Sequence, residues 1–289
     1  MSETYIFGDR TLVKPLRPLI MGIVNINDDS FSGDGSLDVQ ELTLQIRHKV
    51  AQGADFIDLG AESARTNREA VSVDEEVRRL FSVLEGWEKI IQQTKPKDSV
   101  QVWPPVLSIN TWRVEVLQAL MDSPYRESIG LVNDMSALAD SRTLKLVAAS
   151  NASLLIMHSV GLPKQDHSHV TWDDICASVS SFFEQALHQA HAAGVPKERI
   201  ILDPGLDFAK QTDDSLKLIQ SAQLFASYGT GVLMPLSRKN FIGETLGRED
   251  PLHRDAGTLA CVPFLTQLPC CIVRAHNVEA IWQGLRVLG

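Results

Sequence analysis

Polar side chains recur in this chain at the ends of short apolar runs, and their types suggest what they could hold. The runs cover residues 19–25 (LIMGIVN), 56–59 (FIDL), 106–110 (VLSIN), 130–134 (GLVND), 154–158 (LLIMH), 200–203 (IILD), 232–237 (VLMPLS) and 271–274 (CIVR). They finish in Asn25, Asp58, Asn110, Asn133 with Asp134, His158, Asp203, Ser237 followed by Arg238 and Lys239, and Arg274 followed by His276. Asn110, Asn133 and Asp203 are amides and a carboxylate suited to a flat heterocycle that carries both donors and acceptors. A carboxylate such as Asp203 can accept two parallel N–H bonds from an amino-amidine edge, as it would from a guanidinium. Met157 offers a polarizable face to a ring. Arg65, Arg238, Lys239, Arg274 and His276 gather basic groups in a chain of net charge -9. They imply an anion, such as a phosphate or diphosphate.

Positioning these groups is the work of the elements that carry them. Apolar runs without alternation mark strands buried on both faces, as in a parallel sheet under helices. Between them the sequence predicts helices over 37–53, 74–93, 171–194, 213–226 and 255–267. The clearest cues are acidic first turns (DEE, TWDD) and glycines at the C-terminal ends. Strand–helix alternation with no low-complexity stretch predicts one (β/α)8 barrel domain over 1–289 rather than two domains. A doubly wound open sheet would want a glycine-rich fingerprint after its first strand, and MGIVNINDDSF is not one. In a parallel barrel all C-terminal strand ends share one face, where βα loops close over a site. Helix capping could account for any one polar strand end; so many in register point to a site. Residues 95–105, rich in proline, read as an exposed connection.

Composition removes several classes. A hydrophobic share of 44% and a charged share of 22% are ordinary for a globular protein. The negative balance argues against a nucleic-acid partner. There is no apolar run near the roughly 18 residues of a membrane span and no leader pattern, so a cytoplasmic protein is expected. Cys176, Cys261, Cys270 and Cys271 form no CxxC pair and read as apolar fillers. Asp166, His167 and His169 have a metal-like spacing but read as a solvated loop. Trp87, Trp103, Trp112, Trp172 and Trp282 read as packing or interface residues.

Taken together, MGIVNINDDSF, GADFIDLGAESAR, LSINT, LVNDMSAL, LLIMHSVG, IILDPGLDFAK, PLSRKNFIG and VRAH, in this order from Leu19 to Asn277, resemble the dihydropteroate synthase family. The resemblance implies displacement of pyrophosphate from 6-hydroxymethyl-7,8-dihydropterin diphosphate by the amine of 4-aminobenzoate. It implies Mg²⁺ as cofactor and a homodimer formed by helices near the C-terminal part of the barrel. Carried over by position, Asn25 would hold Mg²⁺ and the diphosphate, with Arg65, Arg274 and His276 on the same diphosphate. Asn110, Asn133, Met157, Asp203 and Lys239 would hold the pterin. Ser63, Phe208, Arg238, Lys239 and Asn240 would border the aminobenzoate. Lys239, Asn110 and Arg65 would be catalytic.

Departures from the family pattern fall unevenly. Asn110 stands where the family has Asp, which removes a charge facing the pterin cation; Asn110→Asp is expected to raise activity if that loss limits turnover. Asn27 and Asp28 replace Thr-Pro. Ala64 and Thr66 replace Thr and Pro, Asp207 and Ala209 replace glycines, and Asn240 replaces a Ser on the aminobenzoate side. An Asp207 carboxylate would repel such a substrate if it points inward. The changes cluster on the second substrate's side, so a paralogue that binds the pterin but uses 4-aminobenzoate poorly, or uses another nucleophile, is the alternative. A corrinoid methyltransferase-type pterin barrel is a rival, opposed by SRK at 237–239 and RAH at 274–276, which suit a diphosphate. A non-catalytic pterin-binding regulator is a third reading, favoured by Asn110.

Overall fold

The computed structural model describes residues 4–28, 35–62, 69–161, 164, 165, 167 and 169–289. A hairpin of β1 (Thr4–Phe7) and β2 (Arg10–Val13) precedes the barrel strands. These are β3 (Leu19–Asn25), β4 (Phe56–Gly60), β5 (Val106–Thr111) and β6 (Ile129–Asp134). They continue with β7 (Ser153–Met157), β8 (Ile200–Asp203), β9 (Gly231–Met234) and β10 (Cys271–Ala275). Each pairs in parallel with the next, and β10 closes on β3: a (β/α)8 barrel, as expected from the alternation. The helices are α1 (Val39–Ala51), α2 (Val73–Leu84), α3 (Trp87–Gln92), α4 (Val114–Met121), α5 (Arg142–Ala148) and α6 (Ile175–Ala192). They end with α7 (Thr212–Gln220), α8 (Ala222–Ala226), α9 (Asn240–Leu246), α10 (Asp255–Cys261) and α11 (Val278–Leu288).

Period-two alternation sorts each strand into an outer and an inner set. Ile57, Ile109, Val132, Ile156 and Leu202 face the helices and join the larger apolar cluster. Leu19, Met21, Phe56, Val106, Leu131, Leu155, Ile201, Leu233 and Ile272 fill the barrel interior, where Tyr5 and Phe7 of the hairpin pack against them. Phe7 meets Phe56 edge-on with centroids 4.9 Å apart, so the hairpin closes the N-terminal end. The same parity places Asp58, Asn133, Asp203 and Arg274 inside the barrel, each two residues past an apolar interior residue on its own strand.

Helix ends differ from the sequence expectation for identifiable reasons. The span 74–93 is two helices, α2 and α3, parted at Glu85 and Gly86. The span 171–194 starts only at Ile175, because Asp174 is the cap and accepts from the backbone N–H of Cys176 and Ala177. The span 213–226 divides into α7 and α8, and α10 tightens into a 3-10 turn at Val262–Leu265, where Pro263 has no N–H to give. The connection 95–105 is mostly exposed, yet Gln101 is buried and donates to the carbonyls of Val50 and Ala54. No helix of the described residues is long and apolar enough to cross a membrane.

Candidate active site

Asp58 is the centre of the strand-end cluster. Fully buried on β4, it accepts from Ser108 Oγ (2.6 Å), from Asn110 Nδ2 (3.4 Å), from Asn133 Nδ2 (3.2 Å) and from Arg274 Nε (2.7 Å). The strand register explains the convergence, since Asp58 pairs with Ser108, Gly60 with Asn110, and Asn110 with Asn133. Asn110 therefore leaves no electrical gap at this end of the barrel: a carboxylate stands one strand away and grips the same amides. Of the neighbouring pair, Asn133 faces the site; Asp134 turns away and accepts from the backbone N–H of Ser136 and Leu138.

On the opposite side, Asp203 ends β8 beside Met157, its register partner. Burial raises Asp203 to about 6, and a hydrogen bond from Gly205 N at 2.7 Å, with Lys239, Lys210 and Arg274 nearby, opposes the rise. Gly205 has φ +68, and a Cβ there would lie 2.0 Å from the His158 carbonyl oxygen, so only glycine lets the loop turn under β7. Lys239 donates to the Leu206 carbonyl at 3.0 Å and stands 4.3 Å from the centre of the Phe208 ring. Burial lowers its pKa, against the pull of Asp207 and Asp203.

Beneath this loop lies a pair absent from the expected set. Lys210, buried, reaches His158 Nδ1 at 2.9 Å and donates to the Phe208 carbonyl at 2.9 Å. Burial lowers Lys210 to about 7; burial, with Lys210 beside it, lowers His158 to about 3, so the imidazole is the neutral partner. The signal in the sequence was a lysine on the same loop as Asp203, but only the fold brings it to the β7 end. Asp58 was visible as a polar interruption of FIDL, yet nothing in one sequence says that four donors converge on it.

The anion-facing groups assemble in part. Arg274 is held by Asp58, while Ser237 Oγ lies 2.9 Å from His276 Nδ1 and accepts from the His276 N–H. Asn25 ends β3 opposite Gly60. Ser63 and Arg65, with Ala64 and Thr66, lie outside the described residues. Glu62, just before them, accepts from Trp112 Nε1 (2.7 Å) and pairs with Arg113, which also grips Glu76. Of the residues expected to border an aminobenzoate, Phe208 is half-buried, but Arg238 turns to Asp255 (Nε to Oδ1, 2.7 Å) and the Asn240 side chain accepts from Arg254 at 3.1 Å. Asp207 accepts from the backbone N–H groups of Asn240 and Phe241. Among the described residues there is no cluster of three His, Cys, Asp or Glu able to hold a metal.

The family model described as "Pterin binding enzyme" matches residues 21–276. The chain belongs to the pterin-binding enzyme family. Dihydropteroate synthase of Escherichia coli (strain K12) is 29% identical over 286 residues, covering 98% of this chain and 95% of that protein. The mitochondrial folate synthesis bifunctional protein of Pisum sativum is 33% identical over 91% of this chain, which spans 51% of that longer relative. The dihydropteroate synthase of Xanthomonas albilineans solved with 4-aminobenzoic acid superposes with a TM-score of 0.82 at 32% identity, covering 100% of this chain and 97% of that one.

Proposed function

We propose that the chain is a dihydropteroate synthase-type transferase. It joins the methylene of 6-hydroxymethyl-7,8-dihydropterin diphosphate to an arylamine, 4-aminobenzoate in the family's reaction, giving 7,8-dihydropteroate and pyrophosphate. The observation that carries this reading is the ring of buried amides and carboxylates at the strand ends, with Arg274 on one side and Lys239 on the other. Asp203 accepts the paired N–H groups of the pterin; Asn110 and Asn133 address its remaining edge; Met157 lines its face. Arg274 and His276 receive the diphosphate as the C–O bond breaks, and Asp58 fixes Arg274 for that task. Fixed dipoles and carboxylates stabilise the cationic methylene that the amine then attacks.

Mg²⁺ fits this site only in company with the substrate. Asn25 supplies one oxygen donor, so the remaining ligands would be diphosphate oxygens and water, as Mg²⁺ commonly takes them. Bound there, it would neutralise charge on the leaving diphosphate. A homodimer accords with the apolar surface of Leu246, Leu252 and Phe264 around α9 and α10, exposed by 48%, 54% and 48%; sedimentation equilibrium tests it. A cytoplasmic location suits four cysteines that are all free thiols.

Asp203 gives the reading its pH signature. The pterin's N–H pair needs the carboxylate form, and burial raises the group to about 6. Activity with the pterin diphosphate, as kcat/KM, is therefore expected to climb through about pH 6 and level off above it. Asp203→Asn removes that limb and about 10²-fold or more of kcat/KM, while thermal stability at pH 7.5 holds or rises, because a carboxylate that burial disfavours is gone. The measurement is pyrophosphate release from pH 5 to 9 alongside calorimetric titration with the pterin. Failure to bind the pterin overturns the proposed function.

A further inference from the structure

We propose that Asp207 is a specificity-determining residue that turns the second-substrate side away from carboxylate-bearing arylamines and toward uncharged ones. The inference rests on the transferase reading above and narrows its nucleophile.

Asp207 lies on the β8–α7 loop between Leu206, whose carbonyl receives Lys239, and Phe208, whose ring lies under the same lysine. Its carboxylate crosses to the next βα unit and accepts from the N–H groups of Asn240 and Phe241. Those two N–H groups are thereby taken up by the chain's own carboxylate. The cationic groups beside them are also engaged. Among the described residues, Arg238 is bonded through Nε and a terminal nitrogen to Asp255, Arg254 donates to Asn240 Oδ1, and Lys239 donates to a carbonyl. A carboxylate-bearing amine placed over Phe208 would therefore meet a fixed like charge and donors already satisfied. An uncharged arylamine meets the same aromatic surface without that repulsion.

The backbone supplies an independent observation. Asp207 has φ 65 and Ala209 φ 52, both in the left-handed region that L side chains disfavour. Glycine would hold either conformation without strain, so what position 207 adds to the loop is the carboxylate itself. A strained residue held in place by its neighbours is a common mark of a functional position. Here the holding contacts are the two N–H groups of α9 and the bond from Asp207 N to Ser215 Oγ at 3.2 Å.

The test is pyrophosphate release by the full chain with 6-hydroxymethyl-7,8-dihydropterin diphosphate and Mg²⁺, comparing 4-aminobenzoate with 4-aminobenzamide. The wild-type chain is expected to favour 4-aminobenzamide by about tenfold or more in kcat/KM. Asp207→Gly should lower the KM for 4-aminobenzoate by about tenfold or more and invert the preference. Asp207→Asn, which keeps the side chain's shape and an acceptor for α9, should move the ratio the same way and serves if the glycine variant does not fold. A preference for 4-aminobenzoate in the wild type that neither substitution moves overturns the inference while leaving the transferase intact. Absence of pyrophosphate release with every amine overturns the transferase and, with it, the inference.

Discussion

Replacing Asp58 by Asn is expected to lower kcat/KM for the pterin diphosphate by about 10³-fold, roughly 4 kcal/mol of transition-state stabilisation. Three effects act together. As a carboxylate, Asp58 offers about four lone-pair sites and receives donors from Ser108, Asn110, Asn133 and Arg274. As an amide it would offer half that capacity and turn an NH₂ toward other donors. Arg274, whose side chain is 21% exposed, would lose the carboxylate that holds it in place. The negative charge that faces a cationic pterin methylene would fall by one in a desolvated site. Breaking a buried ion pair by removing one partner costs about 3–5 kcal/mol in stability as well. Thermal melts beside the kinetics therefore separate the two losses: the rate should stay depressed at temperatures where the variant is fully folded. Turnover within threefold of wild type would refute the central place given to Asp58.

Arg113→Met is the second large effect, and it falls on stability. Arg113 lies between Glu62 and Glu76, whose side chains are 4% and 1% exposed. Burial pushes Glu76 up despite bonds from Thr111 and Arg113. Burial also opposes ionisation of Glu62, yet hydrogen bonds from Arg113 and Trp112 outweigh it and hold the carboxyl below its usual range. Without the guanidinium, Glu62 keeps Lys164 at 3.4 Å, but the buried Glu76 loses its cation and faces a second carboxylate. The expected cost is about 3–5 kcal/mol, or roughly 10 °C in Tm for a chain of this size. The sign with pH follows. Glu76, already raised by burial, would titrate further above its unfolded value, so the deficit is full at neutral and alkaline pH and shrinks on acidification as it takes up a proton. Melts at pH 5 and pH 8 check this, and an equal deficit at both would dismiss the buried-charge account.

Much of the architecture was legible because it depends on local pattern. Leu19–Asn25 and Ile200–Asp203 have the bounds their apolar runs suggest, and the remaining strands shift by a few residues at most. The polar strand ends converge for the same reason, since parallel strands carry their C-terminal residues to one face. What the pattern could not contain was partnership. Arg238 read as a group facing the second substrate; the fold turns it to Asp255 on a helix seventeen residues onward. Asp207 read as a possible repulsive charge, and its seat on the first N–H groups of α9 comes from packing between two βα units. The N-terminal hairpin was not legible because its strands alternate with half-exposed residues and lack the continuous apolar run of the barrel strands. Short α5 and α9 were hidden likewise, at seven residues each.

That hairpin has a kinetic consequence. With Tyr5 and Phe7 stoppering the N-terminal end, the described residues leave the strand C-termini as the way into the barrel. Groups on the strands themselves, Asn110, Asn133 and Asp203, lie deeper than groups that follow the strands, Phe208 on its loop and Asn240 at the start of α9. A molecule seated on the strands must therefore arrive before one seated on the loops, and it cannot leave past it. On the proposed function, addition is therefore expected to be ordered, pterin first. An unreactive analogue of the amine should trap the pterin in place, giving uncompetitive inhibition against the pterin diphosphate and competitive inhibition against the amine.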